Sequence, residues 1–144
     1  SFSQILTLSS EISFTDVCLM HVYKHTPNND MTWGGTSVNE YYIHPGSGVK
    51  RLNGIVTFSH GLTSTPQVLD FLNINSTSVT IHINGSSKTT ATYSGTYTLK
   101  HLFNRNTEFF GYEAPIQEFI VWPSDQSSNR SGIETDVNNY YSIY

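Results

Sequence analysis

The residues most able to do chemistry in this chain are its carboxylates, and the densest set lies near the C-terminus: Glu113, Glu118, Asp125, Glu134 and Asp136. Two carboxyls held roughly 5–5.5 Å apart are the requirement of retaining glycoside hydrolysis. On a strand, positions two apart face one way and could converge on a sugar. The nearest match, Glu134-Thr135-Asp136-Val137-Asn138-Asn139, fails this test. Its apolar residues recur with a helical period, and on a helix positions two apart point about 200° from each other. Its sixth position is Asn139, not a further carboxylate. The pair therefore reads as a solvated helix face. Glu113 and Glu118 are five positions apart, so one continuous strand would turn them to opposite sides. No catalytic residue is assigned, and a non-enzymatic protein is expected.

Six histidines follow: His21, His25, His44, His60, His82 and His101. There is no His-x-His pair and no Cys-x-x-Cys. Zinc needs three or four converging ligands, and no spacing here demands them. Asp30, Asn28 and backbone oxygens could offer calcium an oxygen shell; no other cofactor is expected. The single cysteine, Cys18, sits in the apolar run Val17-Cys18-Leu19-Met20 and reads as a small buried hydrophobe. No Gly-x-Ser-x-Gly elbow, P-loop or dinucleotide fingerprint occurs. The sequons at Asn75, Asn84 and Asn129 are what chance gives a chain so rich in Ser, Thr and Asn.

Aromatic residues make up 13% of the chain, including nine Tyr and two Trp. Aromatic faces stack on sugar rings, and Asn, Ser and Thr bond hydroxyls. Trp33, Tyr41, Tyr42, His44 and Tyr112 are therefore the candidate carbohydrate contacts. The competing reading puts Trp33 and one of Tyr41 and Tyr42 in the core.

The frame around these residues is all-β. The 144 residues suffice for one domain with one sizeable core. Charged residues are only 12%, and Ser, Thr and Asn together make about a third of the chain. Such residues favour turns and strand surfaces over helix interiors. The net charge of −4 and the dispersed Lys and Arg residues argue against a nucleic-acid partner. No apolar run approaches the ~20 residues that span a bilayer. No signal peptide is evident, and the start at Ser1 suggests a trimmed product or a piece of a longer chain.

The hydrophobic period is two over most of the length. Residues 2–8, 16–25, 31–33, 40–44, 51–59, 67–73, 78–83, 88–93, 97–103 and 116–122 read as strands. In the second, Val17, Leu19, His21 and Tyr23 point one way and Cys18, Met20, Val22 and Lys24 the other. Asn84-Gly85 between two β-prone runs is a strong hairpin signal. About ten short strands with turns every 8–12 residues predict an antiparallel sandwich. Only the tail changes period: Ile133, Val137, Tyr140, Tyr141 and Tyr144 lie on one helical face. The spacing predicts a helix over about 125–141, capped by Ser124 or Asp125 and cut from the preceding strand by Pro123.

Val79-Thr80-Ile81-His82-Ile83-Asn84-Gly85 resembles the strand and turn of laminin-G-like domains in the concanavalin A-like lectin/glucanase superfamily. Residues 96–104 fit the family's next strand. Gly111 to Trp122 fits its following Gly-aromatic-x-x-Ile-acid-Glu motif with one extra residue, and Gln117 stands where Asp is usual. Ser124 to Glu134 resembles versions of the domain in tailed-phage structural proteins. The resemblance implies a jelly-roll sandwich with a short C-terminal helix. It implies a virion surface or fibre component, exposed outside the cell, whose lectin-like face contacts glycans. Its partners would be other virion proteins, copies of itself and glycans. The alternative is an architectural capsid or tail decoration protein with no sugar ligand, and a glycoside hydrolase ranks below both.

Overall fold

A computed structural model describes residues 6–24, 32–34, 41–44, 49–52, 56–59, 61–62, 67–102 and 115–144, with residues 32–34, 41–44, 49–52 and 56 described by their backbone alone. Eleven strands and one helix lie among them. They are β1 (Leu6–Phe14), β2 (Val17–Lys24), β3 (Thr32–Gly34), β4 (Tyr41–His44), β5 (Val49–Leu52), β6 (Val56–Ser59), β7 (Gln67–Ile74), β8 (Ser78–Ile83), β9 (Ser86–Thr92), β10 (Tyr97–Leu102), β11 (Ile116–Trp122) and α1 (Arg130–Tyr141). They form two antiparallel sheets, ordered β1-β10-β3-β4-β5-β6 and β11-β2-β7-β8-β9. The chain is a jelly-roll β-sandwich with a short C-terminal helix.

Period-two patterning explains the main core. Val17, Leu19 and Tyr23 of β2, Val68, Leu72 and Ile74 of β7, and Val79, Ile81 and Ile83 of β8 all point inward. They meet Phe58, Tyr97, Leu99 and Leu102 from the other sheet. Cys18, Met20 and Val22, on the alternate positions of β2, form a second apolar layer with Leu69 and Phe71 of β7. The helix covers that layer with Ile133, Val137 and Tyr141, and Ile143 follows just beyond its end. A strand with two apolar faces must be covered on both, and here the second cover is α1.

The Asn84-Gly85 turn joins β8 to β9 as expected. Both residues have positive φ, 49° and 71°, the requirement of a tight hairpin matched to strand twist. Asn84 also accepts the Leu69 N–H through its side-chain oxygen at 2.9 Å, tying the turn to β7. On the other sheet, Thr7 pairs with His101 and Ile12 with Leu99, so β1 carries a wide irregularity between them. Lys100 fills it, donating to the carbonyls of Leu8 (2.7 Å) and Ser9 (3.0 Å).

The helix differs from expectation in two respects. It starts at Arg130, not near residue 125, and its N-cap is Asn129, which makes no side-chain capping bond. Asp125 is engaged elsewhere: its Oδ1 accepts the Ser127 N–H at 2.8 Å, closing a turn before the helix. Side-chain bonds of this kind compete with helix initiation. Glu134, expected on a solvated face, is only 3% exposed and forms an ion pair with Arg130 one turn earlier.

Candidate functional site

Strand β11 lies at the edge of its sheet, beside β2. Ile116 pairs with Tyr23 while Glu118 pairs with Val22, so Gln117 is one residue too many and makes a bulge. After the bulge, Glu118, Ile120 and Trp122 register with Val22, Met20 and Cys18, the residues of the helix-covered layer. Glu118 thus belongs to the face over which α1 lies.

The helix brings the other wall. Asp136 and Tyr140 are four apart, as are Val137 and Tyr141, so each pair shares a flank. Glu118, Asp136, Val137, Tyr140 and Tyr141 enclose a cleft of about 370 Å³ between helix and edge strand. Tyr140 and Tyr141 meet edge to face, with ring centroids 4.8 Å apart and planes at 78°. Tyr140 is 81% exposed, the most open of the large apolar side chains among the described residues. Burial, together with the nearby Glu118 carboxylate that accepts its hydroxyl, pushes the Tyr141 phenol above its ordinary value. The cleft thus combines two aromatic rings, two carboxylates and one aliphatic contact, and no described Lys or Arg lines it.

The wall is well anchored. Asn73, 2% exposed on β7, donates to Asp125 Oδ1 (2.8 Å) and accepts the Gln126 N–H (2.9 Å). Asn75 donates to Asp125 Oδ2 at 3.3 Å. The Ser127 N–H, with further hydrogen bonds from Ser127, Asn73 and Asn75, holds the Asp125 carboxyl below its ordinary value. Under the helix, burial pushes the Glu134 carboxyl up against the opposing pull of Arg130. Burial, with Asp125 and Glu134 nearby, pushes the Cys18 thiol up as well, which makes it inert. At the far end, Ser142 adopts the left-handed conformation and donates its N–H to the Asn138 carbonyl at 2.7 Å. Asn138 Oδ1 accepts the N–H groups of Ile143 and Tyr144, both at 2.9 Å, and its Nδ2 donates to the Tyr144 carbonyl at 2.7 Å.

The residues singled out from sequence fall elsewhere. Trp33 registers with Leu102 and Tyr41, in a row that begins at a buried residue. Tyr42 registers with Arg51 and then Thr57, and His44 with Val49 and then Ser59, in rows that end at exposed residues. The ladder therefore sets Trp33 and Tyr41 in different rows from Tyr42 and His44. Tyr112 lies outside the described residues, as do Asn28, Asp30, Glu113, His25 and His60. His21 is buried, stacked on Tyr23 at 4.5 Å, and registers with buried Asp70. Burial and the Arg130 cation hold His82 below its ordinary value. His101 lies 3.2 Å from the Thr7 hydroxyl. Among the described residues, no three His, Cys, Asp or Glu side chains gather as a metal site, and no helix is long and apolar enough to cross a membrane.

Sequence reasoning weighed Glu118 with Glu113 and Asp136 with Glu134, rejected both pairs, never set Glu118 beside Asp136, and put Tyr140 in the apolar stripe of the helix. The signal that could have found the cleft was the i, i+4 repeat of Asp136 and Tyr140 at the margin of that stripe. A second cleft of about 400 Å³, lined by Lys24, Gln67, Pro115 and Gln117, lies at the other end of β11. Its two amides bond each other at 2.6 Å, and none of its described lining residues is aromatic.

No family model and no curated protein matches this chain. Among solved structures, the galectin LEC-6 of Caenorhabditis elegans is similar, with a TM-score of 0.42 and 9% identity over 71% of this chain and 96% of that one.

Proposed function

We propose that the protein is a non-enzymatic, lectin-like sandwich that contacts glycans, and that the cleft between α1 and β11 is its contact site. The observation that carries this reading is the open ring of Tyr140, standing at 81% exposure beside two carboxylates. A pyranose presents an apolar face that packs on such a ring, and its hydroxyls donate to Asp136 and Glu118. One aromatic contact contributes about 0.5–1.5 kcal/mol, so a single cleft binds weakly. Copies displayed together would raise avidity by roughly 10²–10⁴. The resemblance of residues 124–134 to tailed-phage structural domains supports a place on a virion surface, among other virion proteins and copies of the chain. Trp33, Tyr41, Tyr42, His44 and Tyr112 remain proposed as individual carbohydrate contacts, Trp33 and Tyr41 in different ladder rows from Tyr42 and His44.

Hydrolysis at the same cleft is less well supported. A glycosidase keeps one carboxyl protonated by burying it, whereas Asp136 is exposed and Glu118 is only half-buried. One observation favours an architectural role instead. The edge strand β1 exposes Leu6 (54%) and Ile12 (43%), apolar side chains on which a neighbouring protein could pack.

A glycan array probed with the purified protein, alongside Tyr140→Ala, tests the proposal. Binding to defined glycans should fall up to about tenfold in the variant. Silence across the array would sink the lectin reading. Release of reducing sugar from any bound glycan would overturn its non-enzymatic part.

A further inference from the structure

The glycan reading leaves the class of sugar open, and the chemistry of the cleft narrows it. Among the described residues lining the cleft, the charged ones are both carboxylates, Glu118 and Asp136. Glu118 already accepts the Tyr141 hydroxyl, which leaves the exposed Asp136 as the group most available to a ligand. No described Lys or Arg lines the cleft to neutralise the two acids, and the whole chain carries −4. An anionic sugar would meet like charge from both walls.

Resting on the glycan reading above, we infer that this cleft selects glycans bearing a free amine, such as oligomers of unacetylated glucosamine, over neutral and acidic ones. The ammonium group would donate a charge-assisted hydrogen bond to Asp136, stronger than a hydroxyl can offer. Asp136 and Tyr140 stand one helical turn apart in the same cleft, so the same cation would also be drawn to the Tyr140 ring face. The sugar ring packs on Tyr140 as above, with Val137 and the Tyr141 edge as further apolar contacts. Asp136 decides which glycan is preferred, and Tyr140 supports the binding of any pyranose. The two roles therefore separate by substitution.

The test is NMR titration of the full chain with three probes of equal length: glucosamine oligomers, N-acetylglucosamine oligomers and galacturonate oligomers. Mildly acidic buffer keeps the amine protonated. The expected order is glucosamine first, roughly tenfold tighter than the N-acetyl form, with galacturonate weakest. Asp136→Asn should erase the preference between the first two, with the larger loss falling on the glucosamine oligomer. Tyr140→Ala should weaken both together. Equal affinity for glucosamine and N-acetylglucosamine oligomers in the wild type would overturn the amine selectivity and leave the glycan reading standing. A preference that survives Asp136→Asn would also overturn it, because attraction to the overall charge would then suffice. Absence of binding by all three probes would sink this inference, and silence on the glycan array would sink the glycan reading separately. A lysine oligomer that binds as tightly as the glucosamine oligomer would reassign the cleft to basic peptides.

Discussion

Asn73→Ala should loosen the helix from the sheet, and its cost follows from the bonds it removes. The Asn73 side chain makes two: a donor bond to Asp125 at 2.8 Å and an acceptor bond from the Gln126 N–H at 2.9 Å. A neutral bond contributes about 0.5–1.5 kcal/mol and one to a charged group about 1.5–3 kcal/mol. Asp125 is exposed, so water replaces part of the charged bond and the lower end of that range applies. The expected loss is about 2 kcal/mol, a large fraction of the 5–15 kcal/mol typical of a domain. In urea the midpoint should fall by roughly 1 M. Asp125→Ala and the double variant complete a cycle whose coupling should be about 1 kcal/mol. The pH dependence gives a second reading. The folded Asp125 carboxyl is held below its unfolded value, so its contribution is fully present above about pH 4 and fades as pH falls through the folded value. The stability gap between wild type and Asp125→Asn should therefore shrink on acidification below about pH 4. A cycle with no coupling, or an Asn73→Ala cost below about 0.5 kcal/mol, would show that the clamp does not hold the helix.

Two further outcomes are expected. The folded Glu134 carboxyl is raised by burial, so its protonated form adds stability below about pH 4.3 that disappears as pH rises through the folded value. Glu134→Gln should flatten that decline in a pH series of thermal melts and stay within about 1 kcal/mol of wild type near neutrality, because relief of a buried charge offsets the lost ion pair. Gly85→Ala should cost about 1–2 kcal/mol in chemical denaturation, since φ is +71° and an added Cβ would sit 2.9 Å from the Tyr144 hydroxyl. Tyr144→Ala in the same chain should recover only a few tenths of that, because the strain is in the backbone and the ring can swing away.

The sandwich was legible where side-chain period and turn chemistry agreed. The alternation in β8 and β2 and the Asn84-Gly85 turn each state their place in the sequence. The helix was legible in outline and misread in its roll. Each residue advances about 100° around the axis, so Ile133, Val137, Tyr140 and Tyr141 fit one stripe on paper. In the fold the contact face is turned towards Glu134 and Arg130, because their ion pair lets a carboxylate enter the interface. That turn carries Tyr140 out to the rim beside Asp136. A pattern that scores carboxylates as solvated cannot anticipate it. The start of the helix was misjudged for a related reason: Asp125 looks like a cap locally, but Asn73, fifty-two residues away in sequence, claims it. Glu118 was visible as a carboxylate, but its face depends on a bulge that no local period reveals.

The bulge at Gln117 also separates two kinds of constraint on the chain. On its far side, Glu118 to Trp122 run in unbroken step with β2, and a slip of one position there would turn every side chain over. On its near side the extra residue has already been absorbed, and the exposed Gln117 accepts a hydrogen bond from the Gln67 amide instead of entering the core. The bulge works as a slack point. The segment leading into β11 can gain or lose a residue there without passing the change on to the ladder. Variation in that segment and retention of the cleft are thereby made compatible within one strand.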